Sequence, residues 1–161
     1  MVESEIVSNY LLNLYHKTAR LPMGRRLFSR MFARKAPYFG SIRPTVTELR
    51  EHFCEVRFRK RRRVENHIGT VHVIAICNAL EMAMGGLAEV TIPKHLRWIP
   101  MGMSLEYTAK ANSDIRAVAE TDPGDWQVGE VPVRVTAFRD DGEAVVRGTI
   151  SLYVSEKPPR A

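Results

Sequence analysis

The sequence predicts a single α+β domain in which an antiparallel sheet of about six strands wraps around one central helix, with a helical extension in front. Three observations predict it. Residues 73–88 read VIAICNALEMAMGGLA, with Glu81 the only charge and Asn78 the only other strongly polar side chain. That stretch lacks period 2 and is rich in Ala, Leu and Met, so it reads as a helix apolar on nearly every side. On both sides of it the chain alternates with period 2, the mark of half-buried strands. A helix apolar almost all round needs cover almost all round, and a curled sheet supplies it.

The elements follow in order. Residues 5–20, EIVSNYLLNLYHKTAR, place Ile6, Tyr10, Leu11, Leu14 and Tyr15 at helical spacing. Leu21-Pro22-Met23-Gly24 breaks that helix, and a second, basic amphipathic helix carries Leu27, Phe28, Met31 and Phe32. Pro37 and Gly40 mark a loop. Residues 42–49 and 53–61 read as two strands joined tightly through Arg50-Glu51-His52. In the second, Cys54, Val56 and Phe58 share one face, and Glu55, Arg57, Arg59 and Arg61 the other. After the loop 65–69, Thr70 is the expected cap of the central helix. Beyond Pro93 and Pro100, residues 101–111 form a long strand, and 114–120 pairs back on it through Asn112-Ser113. Residues 128–139 and 144–154 form a hairpin across Asp140-Asp141-Gly142, where Asp-Gly favours a tight turn. The expected boundaries are a helical extension at 1–36, the sheet-and-helix domain at 37–156 and a loose tail at 157–161.

Composition narrows the function classes. A hydrophobic content of 45% with 26% charged residues is that of a soluble globular protein. The start MVESEIV has no basic segment followed by an apolar run, so the expected compartment is the cytoplasm, without stable membrane insertion. Cys54 and Cys77 have neither disulfide nor zinc-site spacing. The formal charge is +6, concentrated in two clusters. One is Lys17, Arg20, Arg25, Arg26, Arg30, Arg34 and Lys35; the other is Arg57, Arg59, Lys60, Arg61, Arg62 and Arg63. Basic surfaces attract polyanions. Nucleic acid is not the expected partner, because the arginines lack interleaved aromatics beyond Phe58 and no recognition motif is present.

Glu81 is the candidate reactive group. A carboxylate in an apolar helix is costly unless paired, and a positioned carboxylate is what general-base chemistry uses. Its competing reading is an ion pair with a surface arginine. Counted from Thr70 as the cap, Glu81 lies about 16 Å along the helix axis. Donors at the helix start and Glu81 of the same chain therefore cannot meet on one small carbonyl, but they meet if two chains pack with these helices antiparallel. Asn78 and Gly85 share the face of Glu81, which makes Asn78 a candidate to orient the carboxylate.

The motif NHIGTVHVIAICNALE at 66–81 resembles that of the hotdog-fold acyl-CoA thioesterases of the phenylacetyl-CoA thioesterase type. Their pattern is Asn-x-x-Gly-Thr-x-His-Gly-Gly, followed by an Asp or Glu in the central helix. Asn66, Gly69, Thr70 and His72 stand at matching positions, and Glu81 falls fifteen residues after Asn66, at the place of the catalytic acid. The double glycine is replaced by Val73-Ile74, a departure shared with a little-characterised bacterial subgroup of the superfamily. The resemblance spans residues 40–155 and implies a homodimer, with pairing into tetramers left open. Its sites would combine Asn66 and the Val73 backbone amide of one chain with Glu81 of the other. Gly69, Thr70, His72 and Asn78 would line the substrate.

The implied reaction is hydrolysis of an acyl-CoA or acyl-carrier thioester, with Glu81 activating water or attacking directly. Coenzyme A would enter only as part of the substrate, and no other cofactor is expected. Arg57, Arg59 and Arg61, or Arg62 and Arg63 beside the loop, are candidates for its phosphates. Two rivals stand beside this reading. His67 precedes Glu81 by fourteen residues, the spacing of hotdog dehydratases acting on 3-hydroxyacyl thioesters, although their Gly-His-Phe-Pro loop is absent. The lost double glycine instead favours a non-enzymatic acyl-thioester binder.

Overall fold

The computed structural model describes residues 9–159. Helices α1 (Tyr10–Ala19) and α2 (Gly24–Lys35) are followed by a 3-10 helix, Pro37–Ile42. Strands β1 (Thr45–Arg50) and β2 (Phe53–Phe58) precede the long helix α3 (Val73–Thr91). Four strands complete the chain: β3 (Leu96–Tyr107), β4 (Ile115–Glu120), β5 (Gly129–Phe138) and β6 (Ala144–Glu156). All six form one antiparallel sheet in the order β1-β2-β4-β5-β6-β3. The predicted fold class is the observed one.

Helix α3 lies against the sheet and is buried from Asn78 through Ala88 except at Glu81. Ile76, Leu80, Met82, Met84 and Leu87 meet Val56, Ile115, Val131, Val133, Ile150 and Leu152 in one apolar cluster. Truncating a fully buried leucine such as Leu80 to alanine in such a core costs about 2–5 kcal/mol. Gly86 packs closely here: a Cβ there would sit 3.1 Å from the Cys54 sulfur, which would have to give by a few tenths of an ångström. By length and composition α3 would also span a bilayer, but two-thirds of its apolar window is buried inside the fold, which makes it a core helix.

The two sheet edges are treated differently. At the β1 edge, Ser29 Oγ of α2 accepts from the Val46 N–H at 2.8 Å, and the Tyr15 hydroxyl of α1 donates to the Thr47 carbonyl at 2.8 Å. The helices thus cap groups that would otherwise invite another strand. Tyr15, Phe28, Phe32 and Phe39 pack in a row of aromatic contacts that holds the hairpin down. At the other end, among the described residues, β3 pairs only with β6, and it carries exposed Ile99, Met101, Met103 and Tyr107.

Several local expectations are corrected. Residues 37–42 form a 3-10 helix, so β1 starts at Thr45 rather than at residue 42. Strand β2 ends at Phe58, and Arg59 and Arg61 therefore do not extend its outer face. Strand β3 starts at Leu96 and runs through Pro100; an edge strand tolerates a residue without an N–H, and a bulge follows at Pro100–Gly102. Strand β4 does not pair back on β3 but lies between β2 and β5. The expected first helix begins at residue 5, of which residues 5–8 lie outside the described residues; α1 begins at Tyr10 with Asn9 as its cap.

Candidate active site

The loop before α3 is built around Asn66. Its Oδ1 accepts from the Ile68 and Thr70 N–H groups, both at 3.1 Å, and its Nδ2 donates to Thr70 Oγ1 at 2.8 Å. Gly69 supplies the left-handed turn between them at φ +78°. Asn66 and Thr70 are thus the frame of the loop, and Thr70 is not the helix cap. The loop is anchored at its exit, where Val71 N–H donates to the Ala111 carbonyl and His72 N–H to the Val64 carbonyl, both at 2.7 Å.

His72 caps α3 in its place. Its extended backbone delivers the chain into the helix, and its Nδ1 accepts from the Ile74 N–H at 3.1 Å. A neutral imidazole accepting through Nδ1 carries its proton on Nε2, which leaves His72 a ring N–H to donate. Val73 is the first helical residue, and its N–H has no protein acceptor among the described residues. It is one of the donors that every helix N-terminus leaves unpaired, at the positive end of the helix dipole.

These groups open on a cleft of about 310 Å³ lined by Asn66, His67, Thr70, His72, Val73 and Ile76 on one side and by Tyr107, Ala109 and Lys110 on the other. Tyr107 and Lys110 were not singled out by the sequence; the signal available was a polar-tipped aromatic and a cation closing the β3 strand. Ile74 is not among the lining residues and is about half exposed. The substitution of the second glycine therefore leaves the cleft uncrowded, and only the Val73 side chain narrows it.

Among the described residues the cleft is lined by donors and a cation but no carboxylate. Glu81 lies eight residues beyond Val73, about 12 Å up the helix axis, closer than the sequence estimate because the helix starts later. It is half-buried, and among the described residues it has no hydrogen bond or ion pair. The surface-arginine reading of Glu81 is not what the fold shows. It shares a helix face with exposed Ile74 and half-buried Cys77, at spacings of seven and four. Burial, and the neighbouring Glu81 carboxylate, push the Cys77 thiol above its ordinary pKa.

Asn78 does not orient Glu81. It is buried, and its Nδ2 donates to the Tyr38 carbonyl and Ser41 Oγ, both at 3.1 Å, which ties α3 to the 3-10 helix. Its Oδ1 is left without a partner. The arginines also separate. Arg57 is paired with Glu55 at 2.8 Å, and Arg116 reaches the same carboxylate at 3.3 Å. Burial would raise the Glu55 pKa, but bonds from Arg57 and Thr47 and both guanidinium charges hold it below the ordinary range. Arg61 donates to the Ser41 carbonyl and is crowded by Arg43 and Arg63, and its pKa is lowered by burial first and by those two charges second. Arg59 and Arg62 are exposed. Among the described residues no cluster of three or more His, Cys, Asp or Glu is arranged to hold a metal ion.

Relatives place this arrangement in a wider group. A structural-genomics protein designated APC5556 is 46% identical, with 92% of this chain and 99% of that chain covered and a TM-score of 0.81. PA5026 from Pseudomonas aeruginosa, a protein of unknown function named a probable thioesterase, is 19% identical over 85% of this chain and 97% of its own, with a TM-score of 0.72. A thioesterase family protein from Silicibacter pomeroyi is also 19% identical, over 89% of this chain and 99% of its own, with a TM-score of 0.68. The shared fold is the hotdog fold. No functionally curated protein matches the sequence. Residues 24–154 match the family model of the domain of unknown function DUF4442, a span that takes in α2 and the sheet up to Val154 in β6, and the chain belongs to that family.

Proposed function

We propose that the protein hydrolyses acyl thioesters at a site shared between two copies of the chain. The observation that carries this reading is the cleft at the start of α3. It holds an unpaired main-chain donor, the Val73 N–H, and a second donor, His72, yet no acid from among the described residues of its own chain. A thioester carbonyl seated there would develop its negative charge against the helix N-terminus, where preorganised donors stabilise a tetrahedral intermediate.

The missing base comes from the partner. Glu81 is unpaired among the described residues, half-buried, and too far along its own helix to act on the same carbonyl. Pairing through the free β3 edge, with the two α3 helices antiparallel, brings Glu81 of one copy to the Val73 cleft of the other. The exposed Ile99, Met101, Met103 and Tyr107 side chains are the apolar surface such an interface would cover. Glu81 then takes a proton from water as it attacks the carbonyl, and the thiolate of the carrier leaves and is protonated by solvent. Asn66 acts by holding the loop, and Gly69 by allowing its turn. Lys110 lines the cleft and is the first candidate for coenzyme A phosphates, with exposed Arg59 and Arg62 as further candidates; Arg57 is committed to Glu55 and Arg61 to the Ser41 carbonyl.

A panel of acyl-CoA thioesters, scored by free thiol release, tests the reaction, with Glu81→Gln as the control. Hydrolysis that falls at least about a hundredfold in the variant supports it. Turnover unchanged by Glu81→Gln sinks the assignment. The presence of His67 in the same cleft keeps hydration of a crotonyl thioester as the alternative reaction, and its detection without thiol release would replace hydrolysis.

A further inference from the structure

The α1–α2 hairpin carries a charge asymmetry that the cleft does not use. Between residues 9 and 47 there is no Asp or Glu, against eight basic residues: Lys17, Arg20, Arg25, Arg26, Arg30, Arg34, Lys35 and Arg43. None of the eight forms an ion pair among the described residues; every salt bridge lies elsewhere. A basic helix that only needs solvation usually interleaves acids at three- and four-residue spacing.

The same surface is apolar along one row. Met23, Leu27 and Met31 recur every four residues and are 64%, 52% and 41% exposed, with Leu21 exposed beside them. Arg26, Arg30 and Arg34 run along the neighbouring row and are exposed too. These apolar side chains are not spare core residues. The inner face of α2 is complete without them, with Phe28, Ser29 and Ala33 buried. The hairpin covers the β1 edge, at the opposite end of the sheet from β3, so pairing of two copies through β3 leaves this face open.

We propose that the α2 face docks on the surface of an anionic lipid bilayer. Leu21, Met23, Leu27 and Met31 enter the boundary between headgroups and acyl chains, and the flanking arginines bind lipid phosphates. An acidic protein surface would engage the arginines but leave the apolar row beside them uncovered; a bilayer takes both. The mode is peripheral, since no more than one helix face is involved. The inference does not rest on the hydrolase reading, and its test needs no substrate.

The test is co-sedimentation of the full chain with phosphatidylcholine vesicles, with and without phosphatidylglycerol, at low and high salt. Two double variants at exposed positions separate the contributions: Leu27→Ser with Met31→Ser removes apolar area at constant charge, and Arg30→Gln with Arg34→Gln removes charge. Circular dichroism confirms that each is folded. Binding is expected to anionic vesicles only, to weaken with salt, and to fall at least about tenfold in each double variant. No binding to anionic vesicles, equal binding to neutral ones, or binding untouched by the Leu27/Met31 pair overturns the proposal. Binding to an acidic acyl-carrier protein without binding to vesicles overturns it in favour of a protein partner.

Discussion

Position 73 offers an unusually clean perturbation. Replacing Val73 by proline removes one N–H and exchanges the isopropyl group at the cleft for a ring of similar size. The residue is the first of α3, where a helix accepts proline because the N–H there has no intrahelical acceptor. His72 in front of it is already extended, at φ −64° and ψ 132°, the region that a residue before proline is forced into. The His72 cap on Ile74 is untouched. The fold should therefore lose less than about 1 kcal/mol, within the range of ordinary surface substitutions and small packing changes. Loss of one oxyanion donor should lower kcat about 10²–10³-fold. Combining this variant with Glu81→Gln turns the 12 Å separation into a counting experiment. In a randomly reassembled equimolar mixture half the dimers are mixed, and each mixed dimer has one site free of both lesions, so about one quarter of wild-type activity should return. The assay is thiol release after co-refolding, against the two variants refolded separately. Activity no higher than the mean of the separate variants would refute a site shared between chains.

Three further outcomes test the geometry. Glu81→Gln should speed alkylation of Cys77 at pH 8, because loss of the neighbouring carboxylate removes a contribution that raises the thiol pKa; an unchanged or slower rate shows that the two groups do not sense each other. Glu55 has its carboxyl held below the ordinary value, so its contribution to stability is present above that value and is lost as pH falls through the lowered one. Glu55→Gln should cost about 1–2 kcal/mol at pH 7 and flatten the loss of thermal stability below pH 4.5, which melting curves at both ends of that range would measure. Gly148→Ala should destabilise by more than about 3 kcal/mol or detach β3, since its Cβ would lie 2.0 Å from the Ser104 carbonyl oxygen of the adjacent strand; a melting temperature like that of the parent would contradict the register.

The elements legible in the sequence were those whose signals are local. The α3 segment betrayed itself by losing period 2, and the β5–β6 hairpin by Asp141-Gly142, where Gly142 adopts φ +85°. Asn66 and Gly69 were found as a motif, and the structure gives them a reason, a loop hub and a left-handed turn. The errors share one origin. Pairing of β4 with β3, Asn78 with Glu81 and the arginine row past Phe58 were all inferred from neighbours in sequence, and each was overruled by a distant partner: β2 and β5, the 3-10 helix, and, for Arg61, the Ser41 carbonyl.

By itself, the sequence determined that Glu81 and the start of α3 lie on one rigid helix. The fixed rise of that helix keeps them apart in a single chain, whatever the rest of the molecule does. It also determined an acid-free, arginine-rich N-terminal hairpin. Only the tertiary structure decided which sheet edge stays open. Ser29 and Tyr15 satisfy the β1 edge from across the fold, β3 is left with exposed apolar side chains, and the cleft forms where the Asn66 loop meets Tyr107 and Lys110. Periodicity reports the face a side chain turns to; what it meets there depends on strand order, which is set by contacts far apart in the chain.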